Sequence, residues 1–187
     1  MQVSPRSASM GAVVRQWPDK GLAYRLTVIA PTVSDVVASA GQWLFDRVKG
    51  GWKVDVFVAD EVSTPSGLEI LGVDRVAHLS ELSTGDLLCV AAIAVRGEML
   101  DDNAMLGRRV QSLIQRDATE VVVWGNVPKR LLQHCEGVQY VAHSIAARVF
   151  KSHALRVTGG GEEVKIETFH RAGRTTLRYR TDLETTI

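Results

Sequence analysis

The chain has 187 residues, of which 45% are hydrophobic and 23% charged, and its formal net charge is +1. A length and composition of this kind predict one compact soluble domain and exclude a collagen, a disordered tail and a coiled coil. Because the charges nearly balance, no global field attracts nucleic acid or anionic lipid, and such a partner would need a local patch.

Cysteine use and hydropathy indicate the compartment. Two cysteines, Cys89 and Cys135, are too few for a disulfide framework in a chain of this length, which favours reduced thiols. Residues 1–11 lack the apolar core of a secretory signal. The longest apolar run, Leu87–Val95, is much shorter than the roughly 18 residues of a membrane helix. We therefore expect a cytoplasmic protein that has no membrane partner.

The first predicted strand follows a segment without hydrophobic periodicity. In residues 1–23, Ser, Pro and Gly are interspersed with few apolar residues, which predicts a flexible N-terminal arm that docks through Trp17. The β-branched apolar run Leu26–Ala30 then predicts a strand that is buried on both faces and ended by Pro31.

A helix and a second strand complete the first βα unit. Ser34 or Asp35 is the expected helix cap, apolar residues then recur at three- and four-residue spacing, and Gly50-Gly51 ends the helix. Lys53–Ala59, with valines at every second position, is the next predicted strand, and Asp60 lies just beyond it.

The middle of the chain continues the alternation of helices and strands. A short helix is predicted to begin near Thr64-Pro65-Ser66 and to stop at Gly72, and Val73–Leu79 follows as a strand. The continuous apolar run Leu87–Val95 predicts a central parallel strand.

Two more predicted helices flank a further buried strand. Asp101 or Asp102 opens the first helix, and Glu120–Trp124 is the strand that follows it. Pro128 fits the first turn of a short helix, and Val138–Phe150 is predicted as a longer one.

The last part of the chain changes to a period of two. Val164–Phe169 alternates, and Ala172-Gly173 separates it from residues 175–180, which predicts an antiparallel hairpin. The whole order predicts an α/β fold, a Rossmann-like three-layer sandwich with a mostly parallel sheet. Residues 24–158 would form this domain, and residues 159–187 a C-terminal hairpin packed on it.

Candidate ligand-binding residues follow from the predicted sheet. In open α/β sheets, ligands bind beyond the C-terminal ends of the strands, where loops and helix N-termini point outward. These loops also contain Glu61, Glu98 and Lys129, and each polar residue could equally be a helix cap or a solvated loop residue. The candidates for binding a small anion or a hydroxylated ligand are Thr32, Ser34, Asp35, Asp60, Arg96 and Asn126.

Part of the chain resembles a known family. Within residues 25–77 the pattern consists of Val28–Asp35, Gly41 with Trp43-Leu44, Trp52–Val58 and Leu68–Val73. It resembles the opening unit of the zinc-dependent N-acetylglucosaminyl-deacetylase family, whose His-Pro-Asp-Asp run after the first strand supplies two zinc ligands and a general base. Here Thr32 stands in place of the histidine and Ser34 in place of the basic aspartate, so that only Asp35 remains.

The missing ligands decide what this resemblance implies. The family's later histidine-rich motif has no match after Trp124, and a catalytic zinc needs three protein ligands with an open position. The resemblance therefore implies a member without metal chemistry, and we predict neither a metal nor a cofactor. If the pattern is generic to βα units instead, no family function is implied.

The sequence leaves three functions open. Since it contains no complete catalytic motif, the first is a non-catalytic, ligand- or protein-binding domain with a regulatory role. Its partner would be a small molecule, a protein or a second copy, for which Trp43, Phe45, Tyr140 and Phe150 offer apolar surface, although core packing explains most of them. The alternative is a hydrolase or transferase that acts on a sugar or nucleotide through Asp35 and Asp60.

The third function is nucleic-acid binding through the predicted C-terminal hairpin. Neighbouring carboxylates dilute its charge, so that a solvated, salt-bridged face is favoured over a nucleic-acid surface. The basic residues concerned are Arg171, Arg174, Arg178 and Arg180.

Overall fold

The computed structural model describes residues 24–62, 65–116, 119–159, 164–172 and 184–185. The elements in chain order are β1 Arg25–Ala30, α1 Val33–Lys49, β2 Lys53–Val58, α2 Ser66–Ile70, β3 Arg75–His78, α3 Gly85–Leu88, β4 Ala92–Arg96, α4 Glu98–Asp102, α5 Ala104–Arg116, β5 Glu120–Trp124, α6 Lys129–Leu132, β6 Cys135–Val141, α7 Ile145–Val157, β7 Ile166–Ala172 and β8 Glu184–Thr185. Within these ranges, none of the helices has the length and apolar character needed to cross a bilayer.

All the strands belong to one sheet, in the order β3-β2-β1-β4-β5-β7-β6-β8. Strands β1 to β5 run parallel to one another, whereas β7 is antiparallel to both β5 and β6. The predicted α/β class, a mostly parallel sheet with a C-terminal antiparallel addition, is confirmed.

The sheet is covered on both faces, which explains the continuous apolar runs of its central strands. Successive residues of β1 point to opposite faces, so that Val28 packs in one hydrophobic cluster with α1 and Ile29 in a second cluster with α4 and α5. Val122 and Val123 of β5 divide between the clusters in the same way. The result is the three-layer arrangement that the order of elements predicted.

The ends of α1 differ slightly from the prediction. Thr32, rather than Ser34 or Asp35, is the N-cap, because its hydroxyl accepts a 3.0 Å hydrogen bond from the Asp35 amide. At the other end, the helix stops at Gly50-Gly51 as predicted, and Gly51 has a φ of 87°. Gly72, where the sequence predicts a left-handed stop, has a φ of 84°.

The run Leu87–Val95 is not one strand, as the sequence suggested. Its first residues belong to α3, where Leu88 is 53% exposed, and β4 begins only at Ala92. Asp86 organises this helical turn, because its carboxylate accepts hydrogen bonds from the amide and the hydroxyl of Ser83. Further along, the helix expected from Asp101 or Asp102 is replaced by two, α4 and α5.

The helix predicted over Val138–Phe150 is wrong for its first half. Val138 and Tyr140 alternate inward along strand β6, and α7 begins only at Ile145, after Ser144 has capped it through the amide of Ala147. The apolar positions at helical spacing that suggested a longer helix face solvent instead, with Ile145 71% exposed.

Several other predictions concern the end of the chain and the surface. Ala172 pairs with Val121 and Cys135 as a strand residue and is therefore not a turn residue. The predicted arm over residues 1–23, which includes Trp17, and the predicted partner strand over residues 175–180 lie outside the described residues.

The aromatic residues considered for a dimer surface are mostly in the core. The side chains of Trp43, Phe45 and Tyr140 are buried, whereas Phe150 is half-exposed and stacks on Phe45.

A buried ion pair joins α1, α7 and β7. Lys151 and Glu167 are both fully buried, and their side chains meet at 2.7 Å. The Lys151 ammonium also donates to the Ala38 carbonyl at 2.6 Å, while the Glu167 carboxylate accepts from the amides of Gln42 and Trp43 at 2.8 and 2.9 Å. Burial raises the pKa of Glu167 despite the opposing effect of the lysine and these amides.

We expect Lys151→Met to destabilise the protein by about 3–5 kcal/mol, because it leaves a buried carboxylate without its cation. The loss should be larger near about pH 8 than near about pH 5, since a buried Glu167 with a raised pKa must take up a proton on folding, and this uptake is costlier as the pH rises. Urea unfolding at the two pH values measures both effects.

The double variant Lys151→Met/Glu167→Met is expected to recover much of this loss, and Lys129→Met, which changes an exposed lysine, should change the free energy of unfolding by less than about 0.5 kcal/mol. Equal losses in the single and double variants would contradict the interpretation that the unpaired charge is the cause.

Candidate functional site

The C-terminal ends of the parallel strands place a compact polar cluster at one edge of the sheet. Asp35 lies in the first turn of α1, Arg96 ends β4, and Trp124 ends β5. Arg96 and Trp124 are direct neighbours in the strand register, so their side chains start from adjacent positions. The cluster therefore forms where the strand-end rule for α/β sheets predicts a site.

Both carboxylate oxygens of Asp35 are already hydrogen-bonded. Arg96 donates from Nη1 to Oδ1 at 2.8 Å, and the Trp124 indole donates from Nε1 to Oδ2 at 3.0 Å. The side chains of Arg96 and Asp35 are 29% and 18% exposed, so this ion pair is shielded from most of the solvent. Asp35 is thus held in one orientation by two donors from two neighbouring strands.

Arg96 holds a second carboxylate, that of Glu98. Its Nε and Nη2 donate to the two oxygens of Glu98 at 2.6 and 3.2 Å, which is the bidentate arrangement that suits a guanidinium. The backbone amide of Asn126 donates a further hydrogen bond to Glu98 Oε1 at 3.2 Å. Partial burial opposes the ionisation of Glu98, but the hydrogen bonds from its own amide, from Arg96 and from Asn126 prevail and keep its pKa below the ordinary value.

Gly125 is required for this packing. It has a φ of 75°, and a Cβ at this position would lie 2.6 Å from both Arg96 Nε and Glu98 Oε2. Any larger residue would therefore both strain the backbone and push against the ion pair.

The remaining predicted site residues divide into neighbours and a more distant group. Thr32 and Ser34 lie beside Asp35, with their hydroxyls 2.9 Å apart. The backbone amide of Asp60 bonds to the Pro31 carbonyl, which places Asp60 next to this edge, but its exposed side chain joins none of the bonds described above. The structure thus gathers Thr32, Ser34, Asp35, Arg96 and Asn126, and leaves the Asp60 carboxylate in solvent.

The residues at this edge do not fit a zinc ion. The family that residues 25–77 resemble carries such a metal, yet within the described ranges no group of three or more His, Cys, Asp and Glu side chains is arranged to hold one. Asp35 is the one residue of the family's metal-binding run that this sequence keeps. Its two oxygens each accept a hydrogen bond, one from Arg96 and one from Trp124. A cationic guanidinium beside it also opposes the approach of a second cation.

Of the four arginines considered for nucleic-acid binding, the structure describes only Arg171. Arg171 donates to Glu136 at 2.9 Å across the β6–β7 pair, so its charge is neutralised locally. Arg174, Arg178 and Arg180 lie outside the described residues, and a nucleic-acid surface there stays a prediction.

Trp124 is the site residue that sequence reasoning missed. Its ring is buried, and the run Glu120–Trp124 is typical of core strand residues, so the sequence offers no sign of its polar role. The available signal is its position as the last residue of a strand next to β4, where an indole N–H that is buried needs an acceptor.

The fold has counterparts among solved structures. No protein-family model matches this sequence, and no curated protein does. A deacetylase–teicoplanin complex from the biosynthesis pathway of teicoplanin superposes with a TM-score of 0.55 and 11% identity, covering 80% of this chain and 98% of that one. The A40926 pseudoaglycone deacetylase Dbv21 gives 0.52 and 14% over 82% and 99%. The chain therefore has the fold of these deacetylases, and identities this low show the fold alone.

Gly125→Ala is expected to lower the free energy of unfolding by more than Gly51→Ala does. Both glycines have a positive φ, so both variants carry the strain of about 1–2 kcal/mol that a left-handed residue costs. Only at Gly125 would the new methyl group also meet Arg96 and Glu98, since Gly51 has no atoms within 4 Å of its Cβ position. Thermal unfolding compares the two, and equal losses would show that the contact contributes nothing.

Arg96→Met is expected to raise the pKa of Glu98 towards its ordinary value, because it removes two hydrogen bonds and a positive charge. A carbon-detected NMR titration of the side-chain carboxyl measures this change. Arg130→Met, which removes the arginine that pairs with Asp101, is the matched control and should leave the Glu98 titration unchanged. An unshifted Glu98 in Arg96→Met would mean that the amide hydrogen bonds alone stabilise the carboxylate.

Proposed function

We propose that this chain is a non-catalytic binding protein on a deacetylase fold, and that it binds a small hydroxylated or amine-bearing molecule at the edge formed by Asp35, Arg96 and Glu98. The observation that carries the proposal is the capture of both Asp35 oxygens by Arg96 and Trp124. Each Asp35 oxygen has one of its two lone pairs engaged in this way, and the adjacent guanidinium disfavours a bound cation, so this carboxylate is poorly placed to act as a general base or as a metal ligand.

The class of ligand follows from the charge of this edge. Arg96 is compensated by two carboxylates, Asp35 and Glu98, and among the exposed residues of the strand-end loops Asp60 and Glu61 outnumber Lys129. A net acidic edge attracts ammonium and hydroxyl donors and repels phosphate. The hydroxyls of Thr32 and Ser34 and the amide side chain of Asn126 add neutral donors and acceptors, as recognition of a polyhydroxylated ligand requires.

The alternative is a hydrolase acting on a sugar, and it is supported by the deacetylase fold of the solved structures. It would need the Asp35 carboxylate to leave Arg96 and become available to a substrate. Nucleotide substrates are disfavoured under both interpretations because their phosphates would meet the carboxylates of this edge.

The proposal also includes a cytoplasmic location and permits a homodimer. Cys89 and Cys135 are both free thiols, which accords with a reducing compartment. Analytical ultracentrifugation of the purified chain decides whether a dimer forms.

Binding and turnover are measured on the same samples. We expect glucosamine or N-acetylglucosamine to give saturable binding by isothermal titration calorimetry, with no acetate released from N-acetylglucosamine in the presence or absence of added Zn²⁺. Asp60→Asn, which neutralises the exposed carboxylate of this edge that is outside the Arg96 cluster, should weaken binding by about tenfold, since a hydrogen bond to a charged group contributes roughly 1.5–3 kcal/mol. Glu69→Gln, an exposed carboxylate of α2, is the control and should bind like the unaltered chain.

Acetate release that requires Zn²⁺ would overturn the non-catalytic proposal in favour of the hydrolase. Binding that tightens with phosphorylated sugars relative to neutral ones would contradict the acidic character assigned to the edge.

A further inference from the structure

A second concave surface lies on the outer face of α7, away from the Asp35 edge. The groove has a volume of about 500 Å³ and lies between α7 and the residue that precedes β7. Its lining residues are Ile145, Arg148, Val149, Ser152, His153, Arg156 and Lys165. We call this surface the α7 groove.

The floor of the α7 groove is apolar and open to solvent. Ile145 is 71% exposed and Val149 45% exposed, and both are aliphatic side chains one helical turn apart on α7. Val164 and Ile166, which flank Lys165 in the chain, are 46% and 44% exposed. Clustered exposed aliphatic groups around a concave surface are typical of a protein-binding site, since isolated ones need no explanation.

The rim of the α7 groove is basic. Arg148, Arg156 and Lys165 are exposed, His153 lies among them, and none of the described residues that line the groove is acidic. Within the part of the chain that the structure describes, none of these four side chains forms an ion pair, in contrast to Arg171 with its Glu136 partner. Unpaired cations around an apolar floor complement a ligand that carries carboxylates beside aliphatic groups.

We propose that the α7 groove binds an acidic amphipathic peptide segment of a partner protein. The aliphatic side chains of the peptide would fill the groove over Ile145 and Val149, and its carboxylates would pair with Arg148, Arg156 and Lys165. The proposal is independent of the ligand assigned to the Asp35 edge.

Other occupants fit the groove less well. A second copy docked through the same face would bring two basic rims together, which like-charge repulsion opposes. Residues 1–23 contain more Arg and Lys than Asp and Glu. Near the end of the chain, Glu184 and Thr185 already pair with β6 as strand β8. A lipid surface would contact a convex apolar face, whereas this one is concave.

Glu162 and Glu163 are the exception within the chain, because they precede Lys165 closely in the sequence. Their role is decided by the variant Glu162→Gln/Glu163→Gln in the experiment below.

The test is selection of a phage-displayed library of random 16-residue peptides on the purified full chain, followed by fluorescence anisotropy of the enriched peptides. We expect enrichment of sequences that combine Asp and Glu with Leu, Ile or Phe, and affinity that falls as the salt concentration rises. Replacing the acidic residues of an enriched peptide by Asn and Gln should weaken binding by about tenfold or more.

Variants of the protein locate the binding surface. Arg148→Glu/Arg156→Glu should weaken binding by about tenfold or more, and Val149→Asp should do so as well, since it places a charge on the apolar floor. Arg108→Glu/Arg116→Glu reverses two exposed arginines of α5 that likewise have no ion pair in the described structure, and it should bind within about twofold of the unaltered chain. Circular dichroism confirms that each variant is folded.

Three results would overturn the proposal. The first is enrichment of neutral or basic peptides, or of none. The second is a peptide affinity that the α7 variants leave unchanged. The third is binding that appears only in Glu162→Gln/Glu163→Gln, because the chain's own carboxylates would then be the occupant. Binding of the unaltered chain to phosphatidylserine vesicles, with no acidic peptide selected, would point to a membrane surface instead.

Discussion

The contact between helix α1 and the buried Lys151–Glu167 pair holds the two parts of this fold together. Strands β1 to β5 and their helices form a parallel unit, to which β6, α7 and β7 are added in antiparallel fashion. The pair supplies a fully buried polar link between them, because Lys151 comes from α7, Glu167 from β7, and their outer partners are backbone groups in the middle of α1. Gly41 makes this possible, since a Cβ there would lie only 3.2 Å from the Lys151 chain.

Both ends of α1 are tied by carboxylates of its own. Asp35 in the first turn binds Arg96 and Trp124, and Asp46 near the C-terminal end accepts hydrogen bonds from Tyr140 and from the cap of α7, Ser144. Asp46 lies eleven positions after Asp35, which corresponds to about 16 Å along the helix axis at 1.5 Å per residue. One helix therefore separates the Asp35 edge from the start of α7, where the α7 groove begins, and two ligands could be bound without contact between them.

The sequence predicted those parts of the fold in which burial is uniform. β1 and β5 are covered on both faces, so their unbroken apolar runs identify them without knowledge of their neighbours. β6 is different, because Glu136 and Gln139 interrupt its apolar residues, and Val141, Ile145 and Val149 follow at a spacing that imitates one face of a helix. This segment is a strand because it pairs with β7, which begins 25 positions after β6 ends. The local spacing of apolar residues cannot indicate so distant a partner.

At the Asp35 edge, too, the sequence predicted the position of the residues but not their contacts. Strand-end position was sufficient to bring Asp35, Arg96 and Asn126 to one place, since parallel strands end at a common edge. Composition alone could not show that Arg96 would neutralise Asp35 and Glu98, or that Trp124 would use its indole there, because these contacts depend on side-chain rotamers and on the close approach that Gly125 allows. The arginine is what changes the expected chemistry of the fold: a fixed, permanently charged guanidinium satisfies the carboxylate that a metal would otherwise need.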